Sequence, residues 1–329
     1  MSSAVKHKKN KIVSFAMGVS VLVLCLLICL LSWFAPITVL TPIFLMNTRP
    51  ELRDISKNLY VGQGIQVHLS SPWIAQIGTP AWNANDFVYG MNHLSKKAQK
   101  GEEIYYPLFS ENEVKEDEQR GQVCVYHLSA DVEEKRPYVL LLAGGGFQSV
   151  CTPMESLPVA AAFNELGYTA FCLTYRVSER FGEKPNTIVE DVYRAVNFIT
   201  EHAEEFNVET SDYLIGGFSA GGMAISEWCN PETGYQKYQA EKPAAACFIY
   251  GLNVYDGEKI DVPAFVRYCK DDIYFEEETF DGVVNELSSR GVPTNYKKVN
   301  CLHGFGLGTS TDAEGWVEEA EAFWKEQIK

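Results

Sequence analysis

The sequence predicts an α/β protein built on a mostly parallel sheet with helices on both faces. From Gly121 onwards, short apolar runs typical of strands alternate with segments whose apolar residues recur at helical spacing. Most of the strand-like runs are continuously apolar, which is typical of strands buried on both faces. About 280 residues follow the N-terminal apolar segment, and this length fits one large domain better than two.

The first half of the pattern contains three predicted strands and two predicted helices. The strands are "QVCVYHL" (122–128), "PYVLLLA" (137–143) and "YTAFCLTY" (168–175). The helix between the second and third, "ESLPVAAAFNELG", is closed by Gly167, a residue type that commonly ends helices. The next helix has one apolar face, formed by Ile188, Val192, Ala195, Val196 and Ile199.

The second half repeats the alternation to the C-terminus. A helix begins at Ala220, and "FDGVVNELSSRG" predicts another that ends at Gly291. The predicted strands are "YLIGG" (213–217), "AAACFIY" (244–250), "PAFVRYC" (263–269) and "TNYKKVN" (294–300). The terminal helix has one apolar stripe, formed by Trp316, Val317, Ala320, Phe323 and Trp324.

The N-terminal segment differs from the rest of the chain. Four lysines between positions 6 and 11 precede an uncharged apolar stretch, 12–35, that would span about 36 Å as a helix, enough for a hydrocarbon core of ~30 Å. The alternative is a cleaved signal peptide, but its apolar region is normally shorter, and the residues before Ala35 fit its cleavage pattern poorly. We therefore expect a signal anchor at 12–35, a basic cytosolic head at 1–11 and an extracytosolic location for the remainder.

That remainder is strongly acidic, with 24 basic against 43 acidic residues, because the head contains the only charged residues before Pro36. Nothing in it supplies the cationic face that nucleic acid requires, so we expect no nucleic-acid partner. We divide it into a juxtamembrane segment and N-terminal extension (36–100) and a domain that carries the regular α/β pattern (101–329).

The nine cysteines do not form a recognisable metal or redox motif. Two lie in the predicted anchor, and no C-x-x-C pair occurs. Cys124, Cys172, Cys247 and Cys269 lie in strand-like runs, where buried free thiols are common. We expect no metal and no cofactor.

A possible nucleophile lies between a predicted strand and a predicted helix. The stretch from Gly217 to Gly221, with Ser219 at its centre, matches G-x-S-x-G in the context that this motif requires. So tight a turn strains the backbone of the serine and needs small neighbours, which Ala220, Gly221 and Gly222 provide. The alternative is an ordinary turn with an N-capping serine, and the motif by itself does not decide between the two.

A glycine-rich segment, "LLAGGGF" (141–147), ends an earlier predicted strand. Three consecutive glycines let main-chain N–H groups approach a ligand closely, as the oxyanion of a tetrahedral intermediate requires. No helix opens directly on the segment, so it does not fit the dinucleotide motif G-x-G-x-x-G, and we set nucleotide binding aside.

Candidates for the acid and the base follow the last strands. Asp271 and Asp272 come directly after "VRYC", and either could orient a base. His303 is the one histidine of six that follows a predicted strand after both the serine and the acids. Each feature is common in loops, but the order Ser219, Asp, His303, with each member at a strand end, favours an active serine hydrolase.

On these features the sequence resembles the α/β-hydrolase superfamily, and more closely its bacterial acetyl-esterase and xylan-esterase-like branch. The similarity covers residues 100–329 and is carried by "LLAGGGF", "ESLPVAAAFNELGYTAFCLTYRV", "DVYRAVNFI", "YLIGGFSAGGMA", "VPAFVRYCKDD" and "LHGFG". The resemblance implies Ser219 as nucleophile, Asp272 rather than Asp271 as acid, and His303 as base. It also implies an oxyanion hole formed by the N–H groups of Gly145, Gly146 and Ala220. Many relatives have histidine before the three glycines, where this chain has Ala143.

The resemblance further implies hydrolysis of short-chain, acetyl-type esters, extending to esters on carbohydrates, through an acyl-enzyme. The expected partners are a small ester, such as an acylated sugar, and the membrane that holds the anchor. One alternative is a peptidase of the prolyl-oligopeptidase type, but the roughly 85 residues between the anchor and the neighbourhood of the glycine-rich segment are too few for its propeller. Another is a catalytically silent hydrolase fold used as a receptor or scaffold. Such proteins often lack a triad member, and none is missing here.

Overall fold

A computed structural model describes residues 35–62, 73–77, 81–253 and 259–328, together with isolated positions between 17 and 33. The predicted basic head (1–11) and most of the predicted anchor (12–35) lie outside the described residues. Within the described residues, no helix combines the length and the apolar character needed to cross a membrane.

The strands form a large mixed sheet and a small antiparallel ribbon. They are β1 (Val61–Gly62), β2 (Tyr105–Pro107), β3 (Cys124–Leu128), β4 (Arg136–Leu142), β5 (Ser149–Val150), β6 (Ala170–Thr174), β7 (Val208–Phe218), β8 (Ala245–Ile249), β9 (Ala264–Cys269) and β10 (Thr294–Val299). The large sheet has the order β10-β9-β8-β7-β4-β6-β3-β2. Neighbouring strands are parallel from β10 to β6. At the other edge, β3 is antiparallel to β6, and β2 is antiparallel to β3. The prediction of a mostly parallel sheet is therefore confirmed.

The helices cover the sheet on both faces. They are α1 (Ile43–Asn47), α2 (Ser56–Leu59), α3 (Ala84–Gln99), α4 (Glu111–Glu116), α5 (Ser156–Glu165), α6 (Ile188–Glu201), α7 (Ala220–Trp228), α8 (Glu277–Ser289) and α9 (Trp316–Gln327). The crossover β4–α5–β6 runs along the sheet in one direction and β7–α7–β8 in the other. Because such crossovers are right-handed, α5 and α7 lie on opposite faces. Helices α3 and α9 pack on α5, and α6 packs on α7.

The strand order reverses between β4 and β7, and this reversal fixes where a ligand can bind. In open α/β sheets, ligands occupy the crevice at the carboxyl ends of the strands at such a switch point. The glycine-rich segment follows β4 and the G-x-S-x-G motif follows β7, so both candidate features meet at this crevice.

Helix α3 has no counterpart among the predicted elements. Its buried face is formed by Phe87, Met91 and Leu94, at helical spacing, and packs on α5. Gly90 allows the two helices to approach, because a Cβ at this position would lie 2.8 Å from the main-chain nitrogen of Pro158. The apolar face is narrow and is surrounded by polar residues, which weakens the signal in the sequence.

The described part of 36–100 packs against the domain. Ile37, Ile43 and Met46 are buried in the same core as the strands. Strand β1 pairs with β5, directly after the glycine-rich segment, and a Cβ on Gly62 would lie 2.1 Å from the carbonyl oxygen of Gln148. The extension therefore supports the chain beside the candidate site.

Candidate active site

Ser219 lies in the turn between β7 and α7 with a strained main chain, at φ 50° and ψ −120°. L-residues rarely adopt this region, and strain of this kind is concentrated at functional sites. Glycines make the turn possible. A Cβ on Gly217 would lie 2.4 Å from the carbonyl oxygen of Gly221, and one on Gly221 would lie 2.2 Å from that of Leu142. A Cβ on Gly251, in the loop after β8, would lie 2.1 Å from the carbonyl oxygen of Ser219.

His303 lies between the serine and an aspartate. Its Nε2 is 2.7 Å from Oγ of Ser219, and its Nδ1 is 2.8 Å from Oδ2 of Asp272. The Asp272 side chain is fully buried, and its Oδ1 accepts the main-chain N–H groups of Tyr274 (2.8 Å) and Phe275 (3.1 Å). Both carboxylate oxygens are thus engaged, one by His303 and one by the loop. The structure brings these three predicted residues together.

Asp271, the alternative acid, is exposed on the cavity side and makes no hydrogen bond to His303. Aromatic rings enclose the imidazole instead. The ring centroids of Tyr274 and Tyr250 lie 4.7 and 4.9 Å from that of His303, and the ring of Phe275 stacks on it at 5.9 Å. These rings restrict the imidazole to the orientation that points Nε2 at the serine.

In the glycine-rich segment, two main-chain N–H groups point away from the hydrogen bonds that close the turn. The carbonyl of Gly144 accepts the N–H of Cys151 (2.9 Å), and that of Gly145 accepts the N–H of Ser149 (3.1 Å). In a trans peptide the N–H points opposite to the carbonyl. The N–H groups of Gly145 and Gly146 therefore point out of the turn, and no described residue accepts a hydrogen bond from them. Both glycines line the cavity that contains Ser219.

Ala220 is the first residue of α7, so its N–H has no partner within the helix. The carbonyl of Ser219 accepts the N–H of Met223 (3.1 Å) and begins the helical pattern. The N–H of Ala220 is therefore available beside the serine at the positive end of the helix dipole. Three main-chain donors around one hydroxyl suit the stabilisation of an oxyanion.

Where many relatives have histidine, this chain holds the glycine-rich segment with other side chains. The Tyr175 hydroxyl donates to the carbonyl of Ala143 (2.6 Å), and Glu155 Oε2 accepts the N–H of Gly144 (2.5 Å). Burial raises the pKa of Glu155 above its ordinary range, against the opposite effects of the Gly144 N–H and of nearby His303. Sequence reasoning missed both residues, although a single glutamate opening an apolar helix was a usable signal.

Comparison with known proteins shows similarity over part of the sequence and over the fold. Residues 125–226, which include the glycine-rich segment and the serine turn, match the BD-FAE family model. Over 91 residues the chain is 35% identical to an endo-1,4-beta-xylanase B of Butyrivibrio fibrisolvens, a stretch that makes up 26% of this chain and 14% of the xylanase. The chain therefore spans only a small part of that curated relative.

Solved structures share the fold at low sequence identity. An acetyl ester-xyloside bifunctional hydrolase from Caldicellulosiruptor lactoaceticus is 19% identical, with a TM-score of 0.57 over 68% of this chain and 95% of that one. A thermophilic esterase from Thermogutta terrifontis is 19% identical, with a TM-score of 0.54 over 62% and 89%. A sugar hydrolase from Lactococcus lactis is 20% identical, with a TM-score of 0.52 over 63% and 94%.

The chain has the α/β-hydrolase fold and is similar to the esterase branch of that superfamily. The predicted resemblance is confirmed at this level. Ser219 and His303 line a cavity of about 700 Å³. Large apolar side chains stand exposed at its mouth, namely Phe181, Ile273, Tyr274 and Leu302.

The side chain of Cys151 also lines this cavity. Burial raises the pKa of its thiol well above the usual range, so the reactive thiolate is not available. The seven cysteines of the described residues are buried and unpaired. Among those same residues, no group of three or more His, Cys, Asp or Glu side chains is arranged to hold a metal ion.

Proposed function

We propose that the protein is a serine esterase that hydrolyses short-chain acyl esters, acetyl esters foremost, through an acyl-enzyme. The observation that carries the proposal is the continuous contact from Ser219 through His303 to the buried carboxylate of Asp272, at 2.7 and 2.8 Å. The strained turn at Ser219 and the three main-chain donors beside it supply the other parts that acyl transfer needs.

In the proposed mechanism, His303 Nε2 takes the proton of the Ser219 hydroxyl as Oγ bonds to the ester carbonyl carbon. The carbonyl oxygen becomes an oxyanion and is held by the N–H groups of Gly145, Gly146 and Ala220. The C–O bond to the alcohol breaks, and the alcohol leaves with the proton from His303. Asp272 keeps the Nδ1–H tautomer of the imidazole and stabilises its cationic form.

Deacylation repeats these steps with water. His303 removes a proton from a water molecule, the resulting hydroxyl attacks the acyl carbon, and the second tetrahedral intermediate collapses. The bond to Ser219 Oγ breaks, the serine regains its proton from His303, and the carboxylic acid departs. No step in this scheme requires a cofactor.

We propose esters on carbohydrates as the substrate class. Two of the similar proteins are named for xylan or xyloside chemistry, one of them also for acetyl ester hydrolysis. The cavity supports an uncharged substrate, because among the described residues its mouth combines apolar side chains with one exposed carboxylate, that of Asp271. Aromatic rings at the mouth, Phe181 and Tyr274, offer flat apolar surfaces to a sugar ring.

The test uses the full chain in detergent with p-nitrophenyl acetate, butyrate and octanoate. We expect turnover to fall with acyl length and Ser219→Ala to lower kcat by at least about 10⁴-fold, because the nucleophile is lost. Ser289→Ala, at the surface end of α8, is the control and should retain full activity. A rate that survives Ser219→Ala would sink the nucleophile assignment.

We also propose that the protein is held in a membrane by residues 12–35, with the catalytic domain outside the cytosol. The basic head before the apolar stretch supports this orientation. Protease added to intact cells should digest the domain and leave a short N-terminal fragment. Complete protection of the domain until the cells are lysed would contradict the orientation.

A further inference from the structure

The peptide unit between Ala143 and Gly144 is hydrogen-bonded on both sides. Its carbonyl accepts the Tyr175 hydroxyl at 2.6 Å, and its N–H donates to Oε2 of Glu155 at 2.5 Å. This peptide directly precedes the two whose N–H groups we assign to the oxyanion. A rotation about its axis would therefore move the donors of Gly145 and Gly146.

Glu155 also connects to the loop that carries the base. Its Oε1 accepts the Tyr250 hydroxyl at 3.0 Å, and that hydroxyl oxygen accepts the N–H of Gly306 at 3.1 Å. Gly306 lies three residues after His303 and packs closely here, since a Cβ on it would lie 2.7 Å from the carbonyl oxygen of Met154. A chain of hydrogen bonds thus runs from the glycine-rich segment to the His303 loop.

The carboxylate of Glu155 is costly to keep where it lies. Its residue is 3% exposed, and no lysine or arginine of the described residues forms an ion pair with it. The titratable groups that face it are His303, Tyr250, Tyr175 and Cys151. A buried, unpaired carboxylate is normally selected against unless its hydrogen bonds serve a purpose. Here two donors converge on it: the N–H of Gly144 in the glycine-rich segment and the hydroxyl of Tyr250, which in turn contacts the His303 loop.

We propose that Glu155 is a positioning residue that holds the oxyanion donors and the His303 loop in register with each other. This inference rests on the proposed esterase function and adds a residue to it. Glu155 acts through Gly144 on one side and through Tyr250 and Gly306 on the other. Its role is realised when the tetrahedral intermediate forms, because only then must the N–H donors and the imidazole act on the same atoms.

The main test compares Glu155→Gln with the full-length parent on p-nitrophenyl acetate. Glutamine keeps the shape of the side chain but replaces one acceptor oxygen with an amide donor. One of the two hydrogen bonds that Glu155 accepts is therefore lost. We expect kcat to fall by about 10²-fold with KM within twofold, since a misplacement on the order of 1 Å costs that much. The Ki of a short-chain trifluoromethyl ketone, which forms a tetrahedral serine adduct, should rise in step with the fall in kcat/KM.

Tyr250→Phe provides a second break in the same chain. It removes the hydroxyl that joins Glu155 to the Gly306 N–H, and we expect kcat to fall by about tenfold. The double variant should lose little more than Glu155→Gln alone, because residues of one hydrogen-bond network are not additive. Losses that multiply would contradict a shared role.

Asp191→Asn is the matched control for the removal of a buried charge. Asp191 is fully buried against Arg176 and does not line the cavity. We expect it to lower the melting temperature and leave kcat and KM unchanged. Glu155→Gln with wild-type kcat, or with loss of activity that only follows loss of folded protein, would overturn the positioning role. Activity surviving in Ser219→Ala would instead overturn the esterase function itself.

Discussion

The two halves of the candidate site are held by different forces. Around the serine, at the ends of β4 and β7, the chain is fixed by main-chain packing, and glycines stand where a Cβ would lie 2.1 to 2.4 Å from a carbonyl oxygen. Around the base, at the ends of β9 and β10, loops are fixed by side-chain hydrogen bonds, above all those of Asp272. In the serine half, at the ends of β4 and β7, a Cβ added to these glycines would clash with the main chain. The acid–base half, at the ends of β9 and β10, depends instead on the charge of Asp272.

The difference also appears in exposure. The turn from Gly217 to Gly222 is mostly buried, whereas the loop after Asp272 projects Ile273 into solvent, where the residue is 80% exposed. A rigid turn that carries Ser219 therefore faces a histidine, His303, that is supported by a more open loop. Substitutions at the glycines of the serine half should therefore lower the stability of the fold, whereas substitutions in the acid–base half should lower activity.

The largest effect should come from the acid. Asp272→Asn keeps the shape of the side chain but removes the charge that stabilises the imidazolium and selects its tautomer. We expect kcat for p-nitrophenyl acetate to fall by about 10⁴-fold. Asp271→Asn, one residue away and exposed, should stay within about twofold of the parent. The reverse order in a side-by-side assay would show that the acid is Asp271.

The next effect tests the serine half. Gly221→Ala would place a Cβ 2.2 Å from the carbonyl oxygen of Leu142, which belongs to the main chain and cannot move aside cheaply. We expect unfolding free energy to fall by about 3 kcal/mol in urea titrations. The control is Gly282→Ala in α8, where a Cβ meets nothing within 4 Å and helix propensity predicts a slight gain. Equal stabilities for the two variants would remove the steric argument.

This contrast explains what could be predicted from the sequence. The serine half is local in sequence, because tight main-chain packing requires small residues at adjacent positions, and these form the motif around Ser219. The order of strands and helices was equally readable from apolar periodicity. Strand β7 begins earlier than predicted, at Val208, and its first residues pair only with the first residues of β4. The prediction started later because most of these first residues are polar.

The acid–base half could not be read as fully. The sequence pattern alone did not distinguish Asp271 from Asp272 as the acid, and only the family resemblance favoured Asp272. The selection arises from the loop, where Asp272 Oδ1 accepts two following main-chain N–H groups and so turns its other oxygen toward His303. Glu155 and Tyr250 lie 95 residues apart and meet only in the folded chain. No local pattern marks such a pair.

A smaller effect should follow from removing one of the aromatic rings that surround His303. Tyr274 packs edge-on against His303 at 4.7 Å and stands at the cavity mouth. Tyr274→Ala should raise KM for acetyl esters of a disaccharide several-fold, about 1 kcal/mol of binding, while Tyr274→Phe retains the ring and the parent value. Equal KM for the two variants would exclude a contribution of the ring to substrate binding.

The smallest effect concerns stability and links the two halves through Glu155. Burial raises the pKa of this carboxyl in the folded protein, so the folded state holds its proton more tightly than the unfolded state does. Its contribution to stability is therefore fully present below about pH 4.3, the ordinary value for glutamate, and is lost as pH rises through the raised pKa. Glutamine does not titrate, so the melting temperature of Glu155→Gln relative to the parent should increase between pH 4 and pH 8. Melting curves of both proteins across that range measure the difference. A relative melting temperature that stays flat or falls with pH would mean that the ionised form of Glu155 is not disfavoured by folding. In that case its retention between the loops would need no functional explanation.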